Sequence, residues 1–305
     1  GADRTVRQIG QARAVLAVEG QRGAAVVVVG DRVGRDILDI DQAILDAVNA
    51  ELTAYGAQPI SYDELWDKCM EWKERYGDMI VEPISFLHNY MDEGKNILFE
   101  GQLAAMKDID LGIYPYVTSS NPVAAYAAVS SGFPAKKIDR VIGVAKAFSS
   151  AVGAGPFPTE SDDEQIQIIR GTGEHVDDEF GARTGRSRRL GWFDAPVVKY
   201  TNLINGFDEL ALCKIDKLDD LPEIKICVGY KLDGELLDHY PNTDQLERVE
   251  PVYKVMPGWM EDTTGIRKIE DLPENAKNYI KTIEDLTDTK ICYVGVGPGR
   301  TELAL

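Results

Sequence analysis

Apolar residues in this chain follow two spacings that alternate along its length. Residues 24–29 (AAVVVV) form a β-branched run closed by Gly23 and Gly30, which predicts a strand. Short apolar runs at 97–99, 141–145, 209–214, 223–230 and 290–294 predict further strands. Between them a helical period predicts helices over residues 39–54 (through Ile40, Ile44, Ala47 and Leu52), 62–76, 81–91, 193–205 and 273–286. Leu65, Cys69, Trp72 and Tyr76 share one face of the second helix, a stripe that reads as core packing. Ala276, Ile280 and Ile283 are in register in the last one. SDDEQIQ after Glu160 reads as an acidic connector, and residues 235–259, with several prolines and tyrosines, as a surface excursion. The alternation predicts an α/β fold with a largely parallel central sheet flanked by helices, in a single domain over residues 1–305.

The stretch 96–160 is where strands repeatedly end in loops rich in Gly, Ser, Thr and Asp. In open α/β sheets ligands bind beyond the carboxyl ends of strands, so these loops are the first candidates for chemistry. Two glycine motifs are weaker than they look. Asp92, Glu93, Gly94 and Lys95 lie between a predicted helix and a predicted strand, the wrong order for a phosphate loop. Gly295 to Gly299 (GVGPG) follows a strand like half of a dinucleotide fingerprint, but no helix-length segment follows it to hold a pyrophosphate.

Composition narrows the function classes. A formal net charge of −18 argues against a nucleic-acid partner, because a phosphate backbone demands a basic surface. Against that acidity stands one basic cluster, Arg183, Arg186, Arg188 and Arg189 in GARTGRSRRLGW, suited to a polyanion or a carboxylate. Cys69, Cys213, Cys227 and Cys292 are far apart and form no metal or disulfide pattern, and His88, His175 and His239 are isolated from any nucleophile. The absence of an apolar run of about 18 residues or a basic leader gives the expectation of a soluble, cytoplasmic chain without a membrane segment. TVRQIG at residues 5–10 shows no period, and Gly1 in place of Met gives the expectation of a processed end, a cloning scar or a truncation.

Five blocks, FEGQLAAMKDIDLGIYPYVTSSN (99–121), VGAGPFPTE (152–160), GARTGRSRRLGWFD (181–194), CKIDKLDDLPEIKICVGY (213–230) and VGVGPGR (294–300), closely resemble adenylosuccinate synthetase, in the same order. The resemblance implies that family's P-loop NTPase-like α/β fold, N-terminally incomplete. It also implies the family's reaction: GTP phosphorylates O6 of IMP, and the amino group of L-aspartate displaces the phosphate to give adenylosuccinate, with Mg2+ accompanying GTP. By the same resemblance Thr5, Arg7, Gln102, Thr118, Val152 and Arg186 bind IMP. Thr184, Arg186 and Arg188 hold aspartate, and Arg188, Lys214, Asp216 and Gly297 bind GTP. Forked guanidinium groups suit a dicarboxylate, and a carboxylate accepts from N1 and N2 of guanine.

Departures from the family pattern keep alternatives open. FEGAQG is FEGQLA here, with the glutamine shifted to Gln102 and Leu103 in its place. DIDHGT is Asp108 to Ile113, and the arginine before VGAGP is Ala151. The family's opening GDEGKG loop, with its catalytic aspartate, and the catalytic histidine that follows are not found, which implies no catalytic residue in these 305 residues. The expectation is a chain that does not turn over by itself and that works with a separate or upstream N-terminal segment. Alternatives are a non-catalytic nucleotide-binding or assembly protein, or a variant acting on a guanine nucleotide. The resemblance also implies a homodimer, with Arg22 as a candidate to reach across it.

Overall fold

The computed structural model describes the backbone of residues 14–18 and 25–29, and residues 42–175, 177–181 and 185–305 in full. Two compact units emerge, one from Gly1–Ala104 with Ser119–Lys137 and the other from Ala105–Thr118 with Ile138–Leu305.

In the first unit β1 (Ala14–Val18) pairs antiparallel with β2 (Ala25–Val29) on one side. Helices α1 (Gln42–Ala54), α2 (Tyr62–Tyr76) and α3 (Pro83–Asp92) follow, and then β3 (Leu98–Glu100), antiparallel to β1 on its other side, and α4 (Ala125–Ser131). The helix starts are written in the sequence. Ser61 and Glu64 close a reciprocal capping box on α2, and the Glu82 carboxylate accepts from the amides of Ile84 and Ser85, with Pro83 in the first turn of α3. Two face assignments change. Leu45 is the buried residue of α1, whereas Ile44 is 58% exposed, and Trp72 and Tyr76 of α2 are largely exposed while Cys69 is buried. The period located both helices but not the direction from which each is covered.

The second unit carries the main core. Its four-stranded sheet runs β13–β12–β8–β4, from β4 (Ile142–Lys146), β8 (Glu209–Cys213), β12 (Ile291–Gly295) and β13 (Leu303–Ala304). β4, β8 and β12 are parallel, and β13 is an antiparallel edge. In β8 burial alternates, with Leu210 and Leu212 fully inside, as a period-2 strand requires. β5 (Ser149–Ala151) pairs antiparallel with β6 (Arg189–Gly191).

The acidic connector is corrected: it holds a short helix, α5 (Glu164–Ile168), capped by Asp163 and anchored by fully buried Ile166. β7 (Phe193–Asp194) leads into α6 (Ala195–Asn205), and β9 (Glu223–Leu232) pairs with β7, β10 (Glu235–Leu236) and β11 (Glu250–Pro257). The surface excursion is likewise corrected, because β11 pairs with β9 from Glu223 to Lys231 and α7 (Thr243–Leu246) buries Leu246. Its prolines stand at positions where the ladder tolerates them, which masked the strand. α8 (Glu274–Thr287) buries Ala276, Ile280 and Ile283 in the predicted register, and the Tyr279 hydroxyl donates to the carbonyl of Ala147 at 2.6 Å.

A buried carboxylate starts α6. Asp194 accepts from the Val197 amide and, through both oxygens, from the Tyr230 hydroxyl at 2.7 Å. Burial pushes its pKa up from 3.8 to about 6, against those hydrogen bonds, and among the described residues no cation pulls it back. A carboxyl with a higher folded than unfolded pKa contributes stability that is complete below the unfolded value and is lost as pH rises through the folded one. The loss from Asp194 therefore falls between about pH 4 and pH 6 and amounts to roughly 3 kcal/mol. Asp194→Asn keeps both the cap and an acceptor for Tyr230, and is expected to flatten this part of the stability profile in urea denaturation between pH 4 and 7. An unchanged profile would show that Asp194 ionises alike in both states.

Candidate functional site

The carboxyl ends of β4 and β8 deliver two lysines to one place. β4 ends on Lys146, and its register partner Cys213 ends β8, so the next residue, Lys214, emerges beside it. Lys214 has φ 64, in the left-handed region that costs a non-glycine residue about 1 kcal/mol or more. It opens a 3-10 turn, Ile215–Leu218, whose Ile215 and Leu218 are fully buried. The apolar pair pins the turn, and Lys214 and Asp216 are held half-buried beside it.

Between the lysines lies Glu179, a carboxylate with no exposed surface. Lys146 Nζ donates to its two oxygens at 2.9 and 2.7 Å, Lys214 Nζ to Oε1 at 2.5 Å and Arg188 Nη1 to Oε2 at 3.1 Å. Lys214 also donates to the carbonyl of Asp177 at 2.7 Å, and Lys146 to Ser150 Oγ at 2.6 Å. Burial alone would raise the pKa of Glu179. The hydrogen bonds and charges of Lys146 and Lys214 outweigh it and hold the carboxyl down at about 2. Burial in turn lowers the Lys146 pKa, with Glu179 acting against that effect.

The basic loop is a hairpin stem at its described ends. Phe180 and Ser187 bridge antiparallel, the Gly181 amide donates to the Arg186 carbonyl at 2.8 Å, and the Arg188 amide to the Glu179 carbonyl at 2.9 Å. The Asp178 carboxylate accepts from the amides of Thr172, Gly173 and His175 and fixes the preceding turn. The stem separates the arginines by task. Arg186 is exposed, Arg188 turns to Glu179, and Arg189 is drawn into a clamp. Arg189 Nε donates to Glu160 at 2.7 Å, with a second bond from Nη2, and Nη1 donates to the carbonyls of Gly153 and Gly155 at 3.2 and 2.9 Å. It therefore shapes the VGAGP loop.

Near that loop, the Thr118 amide donates to the Lys107 carbonyl at 2.8 Å, and Lys107 Nζ donates to the Tyr116 carbonyl at 2.9 Å. Gly155, at φ 117, lies on Tyr116, where a Cβ would approach the ring's Cγ to 2.8 Å. Here glycine is required by both conformation and space. An open cleft of about 440 Å3 lies alongside, lined by Tyr116, Gly155, Phe157, Glu160, Arg189 and Leu246 among others. Val152 itself is 53% exposed at the start of the loop.

Of the residues singled out in the sequence, Arg188 and Lys214 meet on Glu179, and Asp216 stands two residues further along the Lys214 turn. The Asp216 Oδ1 atom is buried and accepts from no donor among the described residues, and burial pushes the carboxyl pKa up. Gly297 follows β12, the other neighbour of β8, in a loop closed by bonds from the Val296 and Gly299 amides to Glu302. Thr118 and Val152 belong to the same unit, while Gln102 is an exposed residue of the first unit, followed by Leu103 at φ 70. Thr5, Arg7, Arg22 and Thr184 lie outside the described residues. Sequence reasoning missed Glu179 and Lys146, since a lone acid 33 and 35 residues from its lysine partners carries no local signal.

Among the described residues no group of three His, Cys, Asp or Glu side chains is placed to hold a metal ion. The charge around Glu179 is cationic, which suits phosphate or carboxylate oxygens and not a divalent ion. These residues do not supply a magnesium cage, and no chemical step is assigned to one.

Comparison with known proteins shows the family of this chain. The family model for adenylosuccinate synthetase matches residues 25–304. Adenylosuccinate synthetase 1 of Methanosarcina acetivorans is 54% identical over 277 residues, spanning 90% of this chain and 65% of its own. The adenylosuccinate synthetase of Streptococcus sanguinis is 45% identical over 249 residues, 81% of this chain and 57% of its own. The structure of fully ligated adenylosuccinate synthetase from Plasmodium falciparum matches with a TM-score of 0.80 at 36% identity, over 91% of this chain and 66% of that one. The chain thus spans 57% to 65% of the length of these curated relatives. With a family match over nearly its whole length, a shared α/β fold and close identity to named members, the chain belongs to the adenylosuccinate synthetase family.

Proposed function

We propose that this chain serves purine nucleotide biosynthesis as the larger part of a GTP-dependent ligase that joins L-aspartate to IMP. The γ-phosphoryl group of GTP passes to O6 of IMP, and the amino group of aspartate then displaces phosphate, giving adenylosuccinate, GDP and phosphate. The observation that carries this reading is the convergence of Arg188 and Lys214 on Glu179 at the carboxyl ends of parallel strands, beside a buried Asp216 oxygen that has no donor among the described residues. Ligands of α/β sheets bind at this edge, and a buried acceptor is costly to leave unpaired.

In this reading Asp216 accepts from N1–H and N2–H of guanine, with Lys214 beside it and the Gly297 backbone contacting the same nucleotide. Arg186 and Arg188 present forked donors to the aspartate carboxylates, together with Thr184, and Arg188 also reaches the GTP. Thr118, Val152 and Arg186 hold IMP. Magnesium arrives with the nucleotide phosphates, and the groups that move protons and cradle the transferred phosphoryl come from a segment other than these 305 residues. A cytoplasmic homodimer built from a single domain per chain completes the proposal. The non-catalytic alternative is less favoured, because three cations on one buried carboxylate are a costly arrangement for a scaffold to keep.

The assay is product formation from IMP, L-aspartate, GTP and magnesium by the purified 305-residue chain, with and without a separately made N-terminal segment of the family, and with GMP in place of IMP as a parallel arm. Adenylosuccinate in the supplemented reaction is expected, with none from the chain alone. No product in either arm, together with no calorimetric binding of IMP or GTP, would overturn the reading, and product only with GMP would redirect it to a guanine nucleotide.

Arg188→Ala in the supplemented enzyme is expected to weaken aspartate use by about 10- to 150-fold, the range for loss of one charge-assisted partner. An unchanged aspartate KM would remove Arg188 from that site. Asp216→Asn is expected to lose most of the preference for GTP over ATP, because the amide presents a donor where guanine also presents donors. Competition between GTP, ATP and xanthosine triphosphate measures this, and a variant that stays fully GTP-selective would contradict it.

A further inference from the structure

Glu179 is assigned no role by sequence motif or by family resemblance, yet it lies at the centre of the charged cluster. Its side chain is completely buried, while its three partners keep part of their surface, with side-chain exposures of 28% for Lys146, 27% for Arg188 and 24% for Lys214. Each cation therefore has one end fixed from inside and another side open to solvent. One negative charge against three positive ones also leaves the cluster cationic, so the carboxylate orients these groups without neutralising them. We infer that Glu179 is a positioning residue of the nucleotide site, and that it aims Lys214 and Arg188 at an anionic guanine nucleotide while Lys146 holds Glu179 in place from β4. This rests on the functional reading above and adds to it the residue that sets the geometry.

The chain path at Glu179 has support besides its side chain. The backbone of Glu179 is held independently of its side chain, its amide donating to the Arg170 carbonyl at 2.9 Å and its carbonyl accepting from the Arg188 amide at 2.9 Å. Glu179→Gln leaves those backbone bonds and the side-chain volume in place, removes the charge and turns one of the two acceptor oxygens into a donor amide. Three ammonium or guanidinium groups then face one another without the carboxylate that draws them together, and each is expected to turn toward solvent. Glu179→Asp keeps the charge at a shorter reach.

The test titrates GDP and IMP calorimetrically into wild type and both variants, and follows the lysine ammonium signals by 15N NMR. Glu179→Gln is expected to weaken GDP binding about tenfold or more while changing IMP binding less than twofold. Glu179→Asp is expected to recover much of the GDP affinity. The Lys146 and Lys214 ammonium protons, protected in wild type, are expected to exchange fast in Glu179→Gln. Wild-type GDP binding checks the functional reading, whereas the variant-to-wild-type ratios and the ammonium signals check this inference. It is overturned if Glu179→Gln binds GDP like wild type, if its ammonium signals are unchanged, or if GDP and IMP weaken equally with a lowered melting temperature that Glu179→Asp does not restore. Should Glu179→Gln fail to fold, Glu179→Asp decides alone: weaker GDP binding with unaltered IMP binding supports the role, and equal change in both refutes it.

Discussion

A single buried charge organises the functional end of the second unit. Burying an isolated carboxylate costs several kcal/mol even after relaxation, and such a group ordinarily takes up a proton instead. Glu179 stays ionised because three cations arrive from different parts of the chain, Lys146 from β4, Lys214 from the turn after β8 and Arg188 from the hairpin stem. The same pairing works in reverse on the chain path. A displaced β4 or β8 would leave the charge uncompensated, so the carboxylate ties the ends of the two strands to the hairpin.

Three of the buried acids in this unit, Asp194, Asp219 and Glu179, show how finely environment sets charge. Asp194 receives only neutral donors, from Tyr230 and Val197, and its pKa rises to about 6. Asp219 accepts from Trp259 Nε1 and from the amide and hydroxyl of Thr263, and burial still raises it. Glu179, with cations in place of hydroxyls, falls to about 2. Neutral hydrogen bonds repay part of the desolvation, and opposite charge within bonding distance reverses it. The first two fasten helices and turns, and the third is the one surrounded by groups that a ligand also wants.

The arginine-rich run illustrates a related economy. Along the antiparallel stem from Ser187 to Gly191, successive side chains point to opposite faces, so neighbouring arginines meet different surroundings. Arg188 reaches the strand ends, and Arg189 reaches Glu160 and the carbonyls of the VGAGP loop. One short segment thereby connects the residues assigned to GTP and aspartate with the loop assigned to IMP. Arg188 and Arg189, which read in sequence as equal cations, are divided by the alternation of a strand.

The sequence by itself determined the elements and the family. Apolar runs and helical periods placed β4, β8, β9, β12, α6 and α8 of the second unit within a few residues, and five ordered blocks identified the family, because both signals are local in the chain. It did not reveal α5 within SDDEQIQ, or β11 behind its prolines, since each is stabilised by what covers it and not by its own pattern. Nor did it indicate that Leu45 and not Ile44 faces inward, or that Trp72 is exposed. Only the tertiary structure decided which charges meet. Glu179 and its lysines are separated by more than thirty residues, and their partnership exists because parallel pairing of β4 with β8 brings two strand ends side by side. Burial and counter-charge are properties of that arrangement, so the role of Glu179 could not be read from any stretch of the chain taken alone.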